Sequence, residues 1–121
     1  MASVAFLIST LEGLGAAEGL IKFDGDSLRL DFEVKDALVG WIKSGVKEAA
    51  IPLNEIDSIE LKEGWFGTSI VIRTSSLKST QGIPNSRRGE VRLSIAGSHL
   101  AEARSLIEDV WDAIEAQDSS R

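Results

Sequence analysis

The sequence contains no cysteine. Disulfides, thiolate metal sites and cysteine nucleophiles are thereby excluded, and the absence fits a reducing compartment. There is one histidine, His99. A zinc site built from several imidazoles is therefore excluded, and only carboxylate sites for magnesium or calcium remain open. No stretch approaches the roughly 18 consecutive apolar residues of a membrane-crossing helix. The apolar run Val4-Ala5-Phe6-Leu7-Ile8 is short, and no Lys or Arg precedes it, so the charged leader of a signal peptide is missing. The expectation is a cytoplasmic protein. Nucleophile-elbow, P-loop and H-E-x-x-H strings are also absent. No catalytic residue, cofactor-binding residue or metal ligand is assigned, and the chain is not expected to be an enzyme.

What is present is an ordinary globular composition. The 121 residues are 43% hydrophobic and 26% charged, which fits one domain over 1–121 with a core of its own. Lys and Arg number 13 against 19 Asp and Glu, for a formal charge of −6. That mean field repels duplex DNA and anionic lipid, so neither a nucleic acid nor a membrane is expected as a partner.

Most of the chain alternates apolar and polar residues with the period of half-buried strands. Leu28, Leu30, Phe32 and Val34 alternate with Arg29, Asp31, Glu33 and Lys35. Leu20-Ile21-Lys22-Phe23 precedes them, and Asp24-Gly25 between the two runs predicts an antiparallel hairpin over about 18–35, closed by a type I′ turn with positive φ at both centres. Ile51 and Leu53 flank Pro52, which lacks a ladder donor and predicts an edge or bulge. Further strands are predicted around Ile59 and Leu61, over 66–73 and over 91–95, with 5–8 and 38–42 as two more. The stretch 75–89, rich in Ser and carrying Gly82, Pro84 and Asn85, is irregular and of a length often functional or disordered.

The period then changes. Leu100, Ala103, Ile107, Val110 and Ile114 recur at helical spacing, widened by Leu106 and Trp111. Ser98 is the expected N-cap. Glu102, Glu108, Asp109, Asp112 and Glu115 fall on the outer face, and acids near the C-terminal end oppose the helix dipole. Such a helix is unstable alone in water and needs the strands as a surface. Residues 117–121 read as a polar tail.

Six to seven short strands followed by one amphipathic helix resemble the pleckstrin-homology-like fold, in particular the bacterial PH-like and GRAM-like domains. The likeness rests on the hairpin from Gly19-Leu20-Ile21-Lys22-Phe23 into 28–34, on Ile51-Pro52-Leu53-Asn54-Glu55-Ile56-Asp57-Ser58-Ile59, similar to an I-P-L-x-x-I-x-x-I/V strand-turn-strand, and on Trp111 in the last helix. It covers about 17–116. The resemblance implies a mainly β fold: a strongly bent antiparallel sheet or partial barrel, capped by the helix with Trp111 on its buried side. In eukaryotic relatives a basic first hairpin loop binds inositol phosphates. Here that loop is Asp24-Gly25-Asp26, which repels phosphate.

Three surfaces are candidates. Arg73, Lys78, Arg87, Arg88 and Arg92 face only Glu90 within 73–92 and form a possible site for an anionic partner, against the plainer reading of a solvated loop. Trp65 and Phe66, between Gly64 and Gly67 at a predicted hairpin tip, would anchor a partner or a membrane surface if exposed and would otherwise pack on the core. Trp41, in Leu38-Val39-Gly40-Trp41-Ile42, sits in a run apolar on both faces, the mark of a subunit contact or of a core. The carboxylate pairs Asp24/Asp26 and Asp109/Asp112 carry acid–base chemistry only if the fold gathers them in a cleft. The expected function is a non-catalytic binding or assembly module making protein–protein contacts with itself or another protein, as a homo-oligomer without cofactor. A small-molecule or lipid-binding barrel is the alternative, and requires a cavity in place of a filled core.

Overall fold

The structure is a computed structural model that describes residues 3–10, 15–36, 46–64, 67–80, 83, 86 and 88–119. Seven strands precede one helix: β1 (Ser3–Thr10), β2 (Gly15–Phe23), β3 (Ser27–Asp36), β4 (Val46–Pro52), β5 (Ile56–Gly64), β6 (Gly67–Thr74), β7 (Glu90–Ile95) and α1 (Leu100–Ser119). They form one antiparallel sheet in the order β4-β3-β2-β1-β7-β6-β5. The architecture is a strongly bent sheet capped by a C-terminal helix.

The bend has identifiable causes. β1 pairs with β2 along eight register positions but with β7 at one, Leu7 opposite Ser94. The two halves of the sheet therefore meet at a narrow seam and turn toward each other. At Gly19, opposite Phe6 and Phe32, the neighbouring chain approaches so closely that an added Cβ would lie 1.9 Å from the Asp31 carbonyl oxygen. Only glycine fits where strands crowd this tightly.

Alternation sorts the side chains onto two faces. Val4, Phe6, Ile8, Ala17, Ile21, Phe23, Leu28, Leu30 and Phe32 point to the concave side, as do Ile51, Ile59, Ile70, Ile72, Val91, Leu93 and Ile95, and all are buried. A β-bulge between Ile56 and Ser58 shifts the phase of β5, so Ile56 and Ile59 both face inward although three residues apart. With a 3₁₀ turn at Leu53–Glu55, this rephasing brings Ile51, Leu53, Ile56 and Ile59 into one core.

α1 lies in the mouth of the bent sheet against β1, β2 and β5. Its buried line is Ala103, Leu106 and Val110, with Ile107, Ala113 and Ile114 on the flanks. The centre of contact thus sits between the predicted stripe and Leu106. Ser98 is not an N-cap: a 3₁₀ turn at Gly97–His99 leads into the helix, its i→i+3 bonds occupying N–H groups that a capping oxygen would otherwise accept from. Trp111 is not buried as the resemblance implied. It is 36% exposed, and its indole N–H donates to the Ile59 carbonyl, 2.9 Å away on the edge strand β5. The helix continues past the predicted tail boundary to Ser119.

The first hairpin is present, but its turn is not type I′. Gly25 is at φ +100°, while Asp24 and Asp26 keep negative φ. The Asp24 side chain organises the loop instead, accepting from the N–H groups of Asp26 and Ser27 at 2.8 Å each, an Asx turn. β4 is an edge strand that ends at Pro52, as a residue without an N–H requires. Its stretch 46–50 was not anticipated, because Lys47-Glu48-Ala49-Ala50 carries little strand propensity. The predicted strand over 38–42 lies outside the described residues.

Gly19→Ala is expected to lower the unfolding free energy by at least about 2 kcal/mol in urea melts, through overpacking against backbone that cannot yield. Gly97→Ala, where an added Cβ meets nothing within 4 Å, is expected to stay within about 0.5 kcal/mol of the parent.

Candidate functional site

The basic group from 73–92 is partly assembled. Arg73 is the penultimate residue of β6 and Arg92 sits in β7, both on the convex face. Arg73 is opposite Glu90 in register, and Arg92 is opposite Val71. Glu90 takes both guanidiniums, Arg73 Nε at 3.5 Å and an Arg92 terminal nitrogen at 3.7 Å. One carboxylate shared by two cations leaves a positive remainder. All three side chains are substantially exposed, so each pair adds little stability. Val71 is 2% exposed on this outer side, between Glu60 and Arg92 in the ladders.

The connection between β6 and β7 is built into the fold. Ile83 is in the core and Thr80 is buried. The Thr80 carbonyl accepts from the Ser86 hydroxyl at 2.8 Å and from the Ile83 N–H at 3.0 Å. The Ser79 hydroxyl donates to Glu55, and the 3₁₀ turn Lys78–Thr80 touches β4. Through that turn the segment reaches the opposite edge strand. It also presents charge, because Lys78 and Arg88 are exposed. Arg88 is at φ +52°, the one non-glycine residue at positive φ among those described, and Gly89 follows at +80°. A Cβ on Gly89 would meet the Thr74 carbonyl at 2.8 Å, and that threonine's N–H and hydroxyl both donate to the Gly89 carbonyl. The Arg88-Gly89 turn is therefore held against the end of β6. Arg87 lies outside the described residues.

Trp41, Trp65 and Phe66 likewise lie outside them. The β5–β6 hairpin is paired through Gly64 and Gly67, the latter at φ +117°. The carboxylate pairs do not form a cleft. Asp109 and Asp112 are on the exposed side of α1. Asp24 is engaged by Arg29, whose Nε donates to it at 2.6 Å. That guanidinium, joined by the Asp26 and Ser27 N–H groups, holds the Asp24 carboxyl well below the usual carboxylate range. Asp24 is thus fixed as an anion, unfit to exchange protons near neutrality. Among the described residues, no three acidic or histidine side chains converge as metal ligands, and no helix is long and apolar enough to cross a membrane.

Two outward apolar residues escaped the sequence reading. Leu7 and Leu20 are 43% and 47% exposed. They are diagonal neighbours on the convex face, since Leu7 pairs with Glu18 in β2. Their signal is a broken alternation: Phe6-Leu7-Ile8 and Leu20-Ile21 put apolar residues on both faces of a strand. A shallow polar depression of the same face lies over β2, β3 and β4, lined by Lys22, Arg29, Asp31 and Glu48 with Ala49 and Ala50. Lys22 and Asp31 pair across it at 3.7 Å. No family model, curated protein or solved structure matches the chain.

Because folding depresses the Asp24 pKa, the interaction stabilises the protein above the ordinary aspartate pKa of about 3.9 and is lost only as pH falls through the lower, folded value. Carboxyl-carbon NMR is expected to show Asp24 still ionised below the ordinary aspartate pKa of about 3.9. In Arg29→Ala its midpoint is expected to move up toward 3.9.

Proposed function

We propose that this chain is a non-catalytic binding and assembly module on a pleckstrin-homology-like scaffold, making protein–protein contacts that include contacts between its own copies. The observation that carries this reading is the occupied interior. Phe6, Phe23 and Phe32 fill the concave side, Leu106 and Val110 enter it from the helix, and Ile83 enters from the β6–β7 connection. A barrel that binds a lipid or small molecule needs that space, so the filled core weighs against the alternative. Recognition chemistry is left to the outer surface.

The bent seven-stranded sheet with a helix in its mouth supports the scaffold assignment, being the arrangement the sequence resemblance implies. The acidic first hairpin loop, with Asp24 already committed to Arg29, argues against inositol phosphates at that position. Fold alone does not assign function. The support for assembly is the exposed chemistry: arginines in excess around Glu90, and outward Leu7 and Leu20. The absence of cysteine from the sequence suits the cytoplasm.

Native mass spectrometry of the purified chain separates the readings. Masses at multiples of the chain mass without bound small molecule are the expected result. A single-chain mass carrying a stoichiometric lipid or metabolite would overturn the assembly reading in favour of a ligand-binding barrel.

A further inference from the structure

Acidic and basic side chains gather at different places on this protein. On the solvent side of α1, Glu102, Glu108, Asp109, Asp112, Glu115 and Asp118 are exposed, against Arg104 as the helix's one base. Arg104 lies 3.3 Å from Glu63 of β5. Among the described residues, Glu108, Asp112 and Glu115 form no ion pair. At 100° per residue these three and Trp111 share one face, and the C-terminal helix dipole adds to their negative potential. A local group of the opposite sign stands where the end of β6 meets the start of β7: Arg73, Lys78, Arg88 and Arg92 are exposed around Glu90, with Glu60 one strand beyond on the mixed convex face.

Each surface also carries an exposed apolar side chain. Leu77, beside the Arg88-Gly89 turn, is 67% exposed, the most exposed large apolar side chain described. Its Cδ2 lies 3.7 Å from the point a Gly89 Cβ would occupy. Trp111 shows a third of its surface between Glu108 and Glu115 while its N–H is already spent on Ile59. An apolar anchor ringed by charge is the anatomy of an interface. The two surfaces cannot meet within one molecule, since α1 fills the concave side and the arginines project from the convex one. Their spacings agree: Arg73 and Arg92 stand on rows two residues apart, about 7 Å along the strands, and Glu108 and Asp112 are about 6 Å apart along the helix.

We infer that copies of this chain associate head to tail, the Trp111-centred acidic face of α1 in one copy seating on the Leu77-centred basic end of β6 and β7 in the next. This rests on the assembly reading and adds its geometry. The contact is heterologous, so it extends into a ring or filament instead of stopping at a twofold dimer. Its charged rim makes it sensitive to ionic strength.

Two variants test it: Arg73→Gln/Arg88→Gln/Arg92→Gln, without the basic end, and Glu108→Gln/Asp112→Asn/Glu115→Gln, without the acidic face. All six positions are exposed, and circular dichroism verifies folding. Sedimentation velocity of the parent is expected to show assembly near 0.01 M salt that dissolves toward 1 M, as the screening length falls from about 30 Å to about 3 Å. Each variant alone is expected to be monomeric. Their equimolar mixture is expected to stop at a heterodimer of twice the chain mass, because each supplies the half the other lacks. A parent monomeric at every salt concentration would overturn this geometry and the assembly reading together. A folded variant that still assembles, or a mixture that stays monomeric, would overturn the geometry alone. A monomeric parent whose Arg73, Arg88 and Arg92 side-chain resonances move with inorganic phosphate would assign the basic end to an anion and overturn the inference.

Discussion

One helix has to cover the apolar face of seven strands. Laid flat, the sheet would be about 29 Å across, whereas the 20-residue α1 offers a strip about 30 Å long and 10 Å wide. A flat sheet would leave most of Val4, Phe6, Leu28, Leu30, Ile70, Ile72 and their neighbours in water, at about 25 cal/mol per Å² of apolar surface. The chain meets this constraint by curling the sheet until its apolar face covers itself. The narrow seam between β1 and β7, the close approach at Gly19 and the bulge in β5 all serve that curvature. The helix and the Ile83 segment then close what remains open.

Large side chains from every strand line the interior, and an antiparallel sheet with one dry face has one wet face. On that wet face the fold places residues far apart in sequence side by side: Arg73 with Arg92, Leu7 with Leu20, Lys22 with Asp31. The edges are guarded as well. β4 ends in Pro52 and touches the turn at Lys78–Thr80, while the indole of Trp111 occupies a carbonyl of β5. Such guarding limits indiscriminate strand addition.

How much was legible in the sequence follows from the range of each signal. Alternation in 28–34 and 91–95 and the helical spacing after Leu100 are local, and local periodicity located β3, β7 and α1. The stretch Ile51 to Ile59 was legible as a strand-turn-strand through the family resemblance, but not that a turn and a bulge rephase Ile51, Leu53, Ile56 and Ile59 into one core. What escaped depended on tertiary context. β4 is held by β3 and by burial of Ile51, against the propensities of Lys47, Glu48 and the alanines. Trp111 was drawn to the margin by an unpaired edge carbonyl that no sequence pattern announces. The basic group was visible as composition, but its meaning changed once Glu90 was found between Arg73 and Arg92 and the supposedly free loop was found anchored by Ile83.

The central claim is that the helix is an integral part of the core and not an appendage. Amide hydrogen exchange of the intact chain tests this most directly, since an isolated helix of this composition would be unprotected. The account predicts that amides around Leu106 and Val110 exchange only with those of Leu30 and Ile72, in one cooperative opening. Helix amides exchanging orders of magnitude faster than the strand amides would contradict it.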